Sequence, residues 1–127
     1  MDDWRFRFLL ECVPHIVWTA SPEGYLECCN QYCLEYTGLS LEQLQGCGWQ
    51  HTVHPEDLPL LLRRSLQSLR SGEAYEVEYR LRCSADGAYR WHLAKAMPIH
   101  DGDGQVLRWF GTCTDVHSYK LAVQRKS

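Results

Sequence analysis

Seven cysteines and six histidines in 127 residues are the side chains of this chain with the most chemistry to offer. The cysteines stand at 12, 28, 29, 33, 47, 83 and 113, with no Cys-x-x-Cys pair and no half-site of zinc-finger type. Most lie among apolar residues, the setting of buried thiols in a reduced, cytoplasmic protein. Cys28, Cys29 and Cys33 cluster in sequence, which raises a metal or redox role beside the plainer reading of core thiols. Two groupings contain a nucleophile and a base: Cys113 with His92 and Asp115, and Cys47 with His51 and His54. Such groups act only when geometry converges them, which spacing alone does not supply. The sequence carries no nucleophile elbow, phosphate loop or HExxH-type metal helix. Catalysis within this chain is therefore not expected.

Composition narrows the class. Apolar residues make up 45% and charged residues 23% of a chain long enough for one domain with a core and too short for two. A net charge of −3 and the lack of a basic stripe argue against a nucleic-acid partner. No apolar run approaches the length of a membrane span, so no direct membrane contact is expected of this segment. The charged N-terminus does not read as a signal peptide.

Periodicity and turn residues place the elements that would position these groups. Residues 2–12 read as an amphipathic helix with Trp4 and Phe8 on one side, ended by Pro14. Strands at 15–20 and 25–29 form a hairpin across Ser21-Pro22-Glu23-Gly24. Asn30 suits the cap of a short helix over 31–36, stopped by Gly38, and Ser40 with Gln43 spells a capping box for a second one ending at Gly46. His54-Pro55-Glu56-Asp57 turns into the longest helix, where Leu58, Leu61, Leu62, Leu66 and Leu69 recur at helical spacing before Gly72. Tyr75, Val77, Tyr79 and Leu81 alternate with Glu76, Glu78, Arg80 and Arg82, a strand with two distinct faces. Strands at 88–99 and 105–116 follow, the first after an Asp86-Gly87 turn. The expected fold is α+β: a five-stranded antiparallel sheet, with several short helices and one longer helix over one face, and flanking N- and C-terminal helices.

The most distinctive stretch is 86–115. Asp86-Gly87-Ala88-Tyr89-Arg90-Trp91, then Pro98-Ile99-His100-Asp101-Gly102-Asp103-Gly104, then Gly111-Thr112-Cys113-Thr114-Asp115 resemble the C-terminal, PAC-type half of a PAS domain. Residues 30–38 and 49–58 carry weaker marks of the same family, so the resemblance covers roughly residues 8–120. There are two departures. The turn Cys83–Gly87 is one residue longer than the usual pattern, and Asp115-Val116-His117 lacks the hydroxyl that often braces the exit helix. The resemblance implies a PAS sensory domain over 14–117, with a flanking helix within 1–13 and the start of a connecting helix in 118–127. It further implies a longer signalling protein, such as a histidine kinase of a two-component system or a cyclic-dinucleotide enzyme, whose effector domain supplies the catalysis.

Domains of this family hold haem, flavin, 4-hydroxycinnamate, small acids or nothing, so each cofactor has to be argued from residues. Flavin photoadduct chemistry is rejected: Cys47 lies near the place of the reactive cysteine, but its neighbours are Gly46 and Gly48, without the Asn and Arg partners. Haem is weakly supported, because the long helix carries no histidine and His54 reads as a side chain bonding backbone at the helix start. A small organic ligand fits better. Aligned on the family, the inward positions are Trp18, Tyr32, Leu62, Tyr79, His92, Ala94, Ala96, Gly111 and Cys113, with the small ones leaving room opposite the helices. The alternative is a ligand-free module working through its outer sheet face. Trp91, Leu93 and Phe110 would point there, covered by Trp4 and Phe8 of the same chain or of a second copy, which is the argument for a homodimer. Asp115, at the end of the last strand, is the expected output residue.

Overall fold

The computed structural model describes residues 15–126. The helix expected over 2–12, with Trp4 and Phe8, lies outside the described residues. Strands β1 (Ile16–Ala20) and β2 (Leu26–Cys29) form the first hairpin. Helices α1 (Gln31–Thr37) and α2 (Leu41–Leu44), a 3₁₀ turn (Gly48–Thr52) and the long α3 (Leu58–Ser71) come next. Strands β3 (Tyr75–Arg82), β4 (Tyr89–His100) and β5 (Val106–Asp115) then lead into α4 (His117–Lys126). The five strands make one antiparallel sheet in the order β2-β1-β5-β4-β3, the α+β arrangement expected.

Polar side chains at element ends fix the helices to the sheet. Buried Asn30 caps α1 by accepting from Cys33 N at 3.2 Å, and it also accepts from Val17 N at 3.1 Å and donates to His15 O at 2.8 Å. One side chain thus satisfies a helix end and ties it to β1. Ser40 and Gln43 close the expected capping box on α2. Asp57, at the start of α3, accepts from Arg80 N at 2.8 Å and from two guanidinium nitrogens at 2.9 and 2.8 Å. This anchors α3 to β3 and holds the Asp57 carboxyl below the usual range. The turn before it is shaped by His54, whose Nδ1 accepts from Glu56 N at 3.1 Å.

Sheet register sets the inner face. Ile16, Cys113, Ala94 and Val77 form one row across four strands, and Trp18, Gly111, Ala96 and Tyr75 form the next. Large residues thus stand on the outer strands and small ones on β4 and β5, which makes a trough along the middle. The main core joins Ile16, Leu44, Val53, Leu61, Tyr79 and Leu81, and a second cluster joins Ala20, Ala96 and Trp109. The leucine stripe of α3 divides: Leu61 is buried, whereas Leu62 and Leu66 are 37% and 48% exposed. Those two border the cavity described next, so they have less to pack against.

Candidate ligand cavity and exit-helix junction

A cavity of about 370 Å³ lies between the inner sheet face and the helices. Its floor is Ile16, Ala94 and Cys113, its walls include Tyr75, Tyr79, Leu44, Leu61 and Leu69, and exposed Tyr25, Leu62 and Leu66 belong to its rim. That volume is at the low end of small-molecule sites. Among the described residues Glu23 is the one charged side chain lining it. Several of its hydroxyls are already engaged: Tyr75 OH with Ser65 Oγ at 2.9 Å, Tyr79 OH with Cys113 Sγ at 3.1 Å, Thr52 Oγ1 with Trp49 O at 2.6 Å. Trp109, which also lines the cavity, has a buried Nε1 with no acceptor.

Burial keeps the inner groups un-ionised. It pushes the Tyr79 hydroxyl well above its ordinary range and the Cys113 thiol up to about 11, against the hydrogen bonds that Tyr79 and Trp18 give that sulfur. The Cys33 thiol is raised by its hydrogen bond with Cys29 and then by burial. Burial lowers the His92 imidazole, so it stays neutral at pH 7. The catalytic groupings raised from sequence make their bonds elsewhere. Cys113 bonds Tyr79, His92 Nδ1 bonds Arg90 O at 2.9 Å, and His54 serves its own turn. Among the described residues no cluster of three or more His, Cys, Asp or Glu could hold a metal.

The nine inward positions separate into two groups. Trp18, Leu62, Tyr79, Ala94 and Cys113 line the cavity. Tyr32, His92, Ala96 and Gly111 are not among its lining residues. Tyr32 is exposed on α1 and stacks on Tyr36, with ring centroids 6.2 Å apart. His92 is fully buried against the Tyr36 ring at 5.2 Å. Ala96 packs with Ala20 and Trp109. The room at Gly111 is taken by the Trp18 indole, which lies where a Cβ on Gly111 would be. Trp109 was passed over, although it shares strand parity with Gly111 and Cys113, and alternation alone would have placed it on the inner face. Tyr75 shares parity with Tyr79 in the same way. With no histidine among its described lining, the cavity does not fit haem, and Cys47 sits exposed at its edge.

Asp115 connects the sheet to α4. Its Oδ1 accepts from His117 N at 2.9 Å and its Oδ2 from Arg90 Nε at 2.7 Å. Partial burial works against the carboxylate, but Arg90 and the His117 N–H outweigh it and hold the group below its ordinary range. His117 replaces the missing hydroxyl of the family pattern, its Nδ1 accepting from Trp91 N at 3.2 Å. Trp91, expected at a partner interface, carries Lys120 Nζ 3.8 Å above its ring, and that ammonium reaches Glu78 at 2.6 Å. Leu93 and Phe110 are half-buried on the same outer face. Arg90, His117 and Lys120 were not singled out from sequence, since each earns its role from a neighbour on another element.

The sequence profile of a family described as the PAS fold matches residues 27–113. The chain is 39% identical over 111 residues to uncharacterized protein y4lL of Sinorhizobium fredii, covering 87% of this chain and 13% of that protein. It is 38% identical over 117 residues to the peroxide stress-activated histidine kinase mak1 of Schizosaccharomyces pombe, covering 91% of this chain and 7% of that one. The chain thus spans a small part of the curated relatives it matches. The PAS domain of a Colwellia psychrerythraea protein superposes with a TM-score of 0.74 at 17% identity, over 91% of this chain and 97% of that one. A family match across most of the described residues and a shared fold agree with the strand order and inner-face rows above: the chain belongs to the PAS fold family.

Proposed function

We propose that this domain is the sensor of a longer cytoplasmic signalling protein, and that it takes a small, neutral, largely apolar molecule into the cavity above Ala94. The observation that carries the reading is the lining: largely apolar, with Glu23 as its one described charge and the hydroxyls of Tyr75, Tyr79 and Thr52 already bonded within the protein. An anionic ligand would lose its hydration there without gaining a cation. A ligand changes the output only through different affinity for two states of the exit-helix junction, and Asp115 with its partners is the element that would switch. The effector, a histidine kinase or a cyclic-dinucleotide enzyme, would lie in the same full-length chain. Native mass spectrometry of freshly purified protein, with an absorption spectrum of the same sample, tests this. A bound neutral mass that is lost in Ala94→Phe supports it. A carboxylate or phosphate ligand retained by the wild-type chain would overturn it.

One observation favours a second reading, a dimerisation module acting through the outer sheet face. On that face Val17 is buried and Leu93 and Phe110 are half-buried, while Met97 and Ile99 continue the row at 56% and 48% exposure. A ligand-free chain at twice the monomer mass, returning to monomer in Met97→Glu, would favour this reading.

A further inference from the structure

Cys29 is the last residue of β2, Asn30 caps α1, and Cys33 stands in the first turn of that helix. The corner between strand and helix therefore folds two cysteines, four positions apart, towards each other. Pairing of Trp18 with Cys29 puts Cys29 on the sheet face that carries Trp18, whereas Cys28, opposite Thr19, points the other way and is exposed. Cys33 is buried in the main core, and half-buried Cys29 packs against that core. The frame around them is stiff, because Asn30 binds β1 at Val17 N and His15 O as well as the helix at Cys33 N. Backbone anchored on both sides thus turns the two side chains towards the same core.

We infer that Cys29 and Cys33 form a reversible intrachain disulfide when the domain meets hydrogen peroxide, a redox input independent of any molecule in the cavity. Cys29, the more accessible of the two, attacks the peroxide O–O bond as its thiolate. An S–O bond forms, hydroxide leaves and takes up the thiol proton as water, and the sulfur becomes a sulfenic acid. Cys33 then attacks that sulfur: the S–S bond forms, the S–O bond breaks, and the departing hydroxide carries off the Cys33 proton as a second water. Both sulfurs together lose two electrons, which the peroxide accepts. Two equivalents of a small thiol reverse the step and leave as their own disulfide.

The surroundings of Cys33 bias this couple towards the disulfide. A disulfide is a strong oxidant when its reduced, dithiol form is stabilised as thiolate. Here contact with Cys29 and burial disfavour the Cys33 thiolate, so the reduced pair gains no such stabilisation. The same burial slows the second step, which the anchored corner offsets through proximity. The site is also placed to be felt. Tyr36, on the same short helix, rests on His92, whose Nδ1 bonds the carbonyl of Arg90, the partner of Asp115.

The test treats the whole 127-residue chain with hydrogen peroxide under native conditions, blocks remaining thiols with N-ethylmaleimide, and maps peptides by tandem mass spectrometry. Cleavage after Tyr32 separates the two sites, so a cross-link shows as two joined peptides that dithiothreitol parts. The expected result is loss of label at Cys29 and Cys33 together, retained in Cys28→Ala and abolished in Cys29→Ala. In Cys33→Ala, checked for folding by circular dichroism, Cys29 should be trapped as a dimedone adduct. Full labelling of both cysteines after peroxide would overturn the inference, and so would a cross-link that survives Cys29→Ala by moving to Cys28.

Discussion

Gly111→Ala tests how the inner face is built. Gly111 pairs directly with Trp18 across β5 and β1, and a Cβ there would overlap the indole. Even the farthest of the three nearest ring atoms, Cη2, would stand 2.8 Å away, well inside the usual separation of about 3.5–4.0 Å. The obstacle is a rigid ring, not the tip of a flexible chain, so Trp18 must leave its place and intrude on the cavity it lines. Overpacking of this kind costs about 1–3 kcal/mol. At about 2.1 cal/mol/K of unfolding entropy per residue, a chain of 127 residues changes by about 0.27 kcal/mol per degree, so the melting midpoint should fall by roughly 4–11 °C. The clash belongs to the pair, which a double-mutant cycle can show. With Trp18→Leu as background, Gly111→Ala should be neutral, or stabilising by about 0.4–1 kcal/mol through its effect on the unfolded chain. Urea unfolding followed by circular dichroism measures all four proteins. An equal loss in both backgrounds would refute the argument, because the strain would then lie in something other than the indole.

Three further expectations follow from the same geometry. Ala94→Leu should raise stability by about 0.5–2 kcal/mol by filling the cavity floor, and a loss in urea unfolding would mean that the core there is solid. Stability should fall as pH drops from about 6.5 towards 5, because the unfolded chain takes up a proton that buried His92 refuses. It should fall again below about pH 4, as Asp57 and Asp115 take up protons and their bonds to Arg80 and Arg90 lose the carboxylate charge. His92→Gln should remove the first step alone, and persistence of that step in the variant would assign it to another group. Asp115→Ala should leave cooperative unfolding in place while amide exchange in α4 quickens by about fivefold, the loss of a cap worth about 1 kcal/mol. Collapse of the whole fold in that variant would make Asp115 structural and not part of the output.

Much of the fold was legible in the sequence because its signals are local. The alternation at 75–82 matches β3 residue for residue, Asn30 and Ser40 cap the helices they were expected to cap, and Gly38 and Gly72 stop theirs in the left-handed conformation. Each depends on a few neighbouring residues whose backbone preferences do not wait for the rest of the chain. The family resemblance put His92 on the inner face, and strand parity put Trp91, Leu93 and Phe110 on the outer one. Parity gives a side and not a neighbour. Only tertiary register brought Trp18 over Gly111 and closed the space that a glycine promised, while the same register left Ala94 lining the cavity. Only the docking of α4 turned Trp91 from a surface aromatic into the seat of Lys120 and let His117 stand in for a missing hydroxyl. The turning of Cys29 and Cys33 towards one core likewise needed the corner that Asn30 holds. Periodicity states which way a residue faces, whereas a cavity, a cap between elements or a pair of sulfurs depends on distances that packing alone sets.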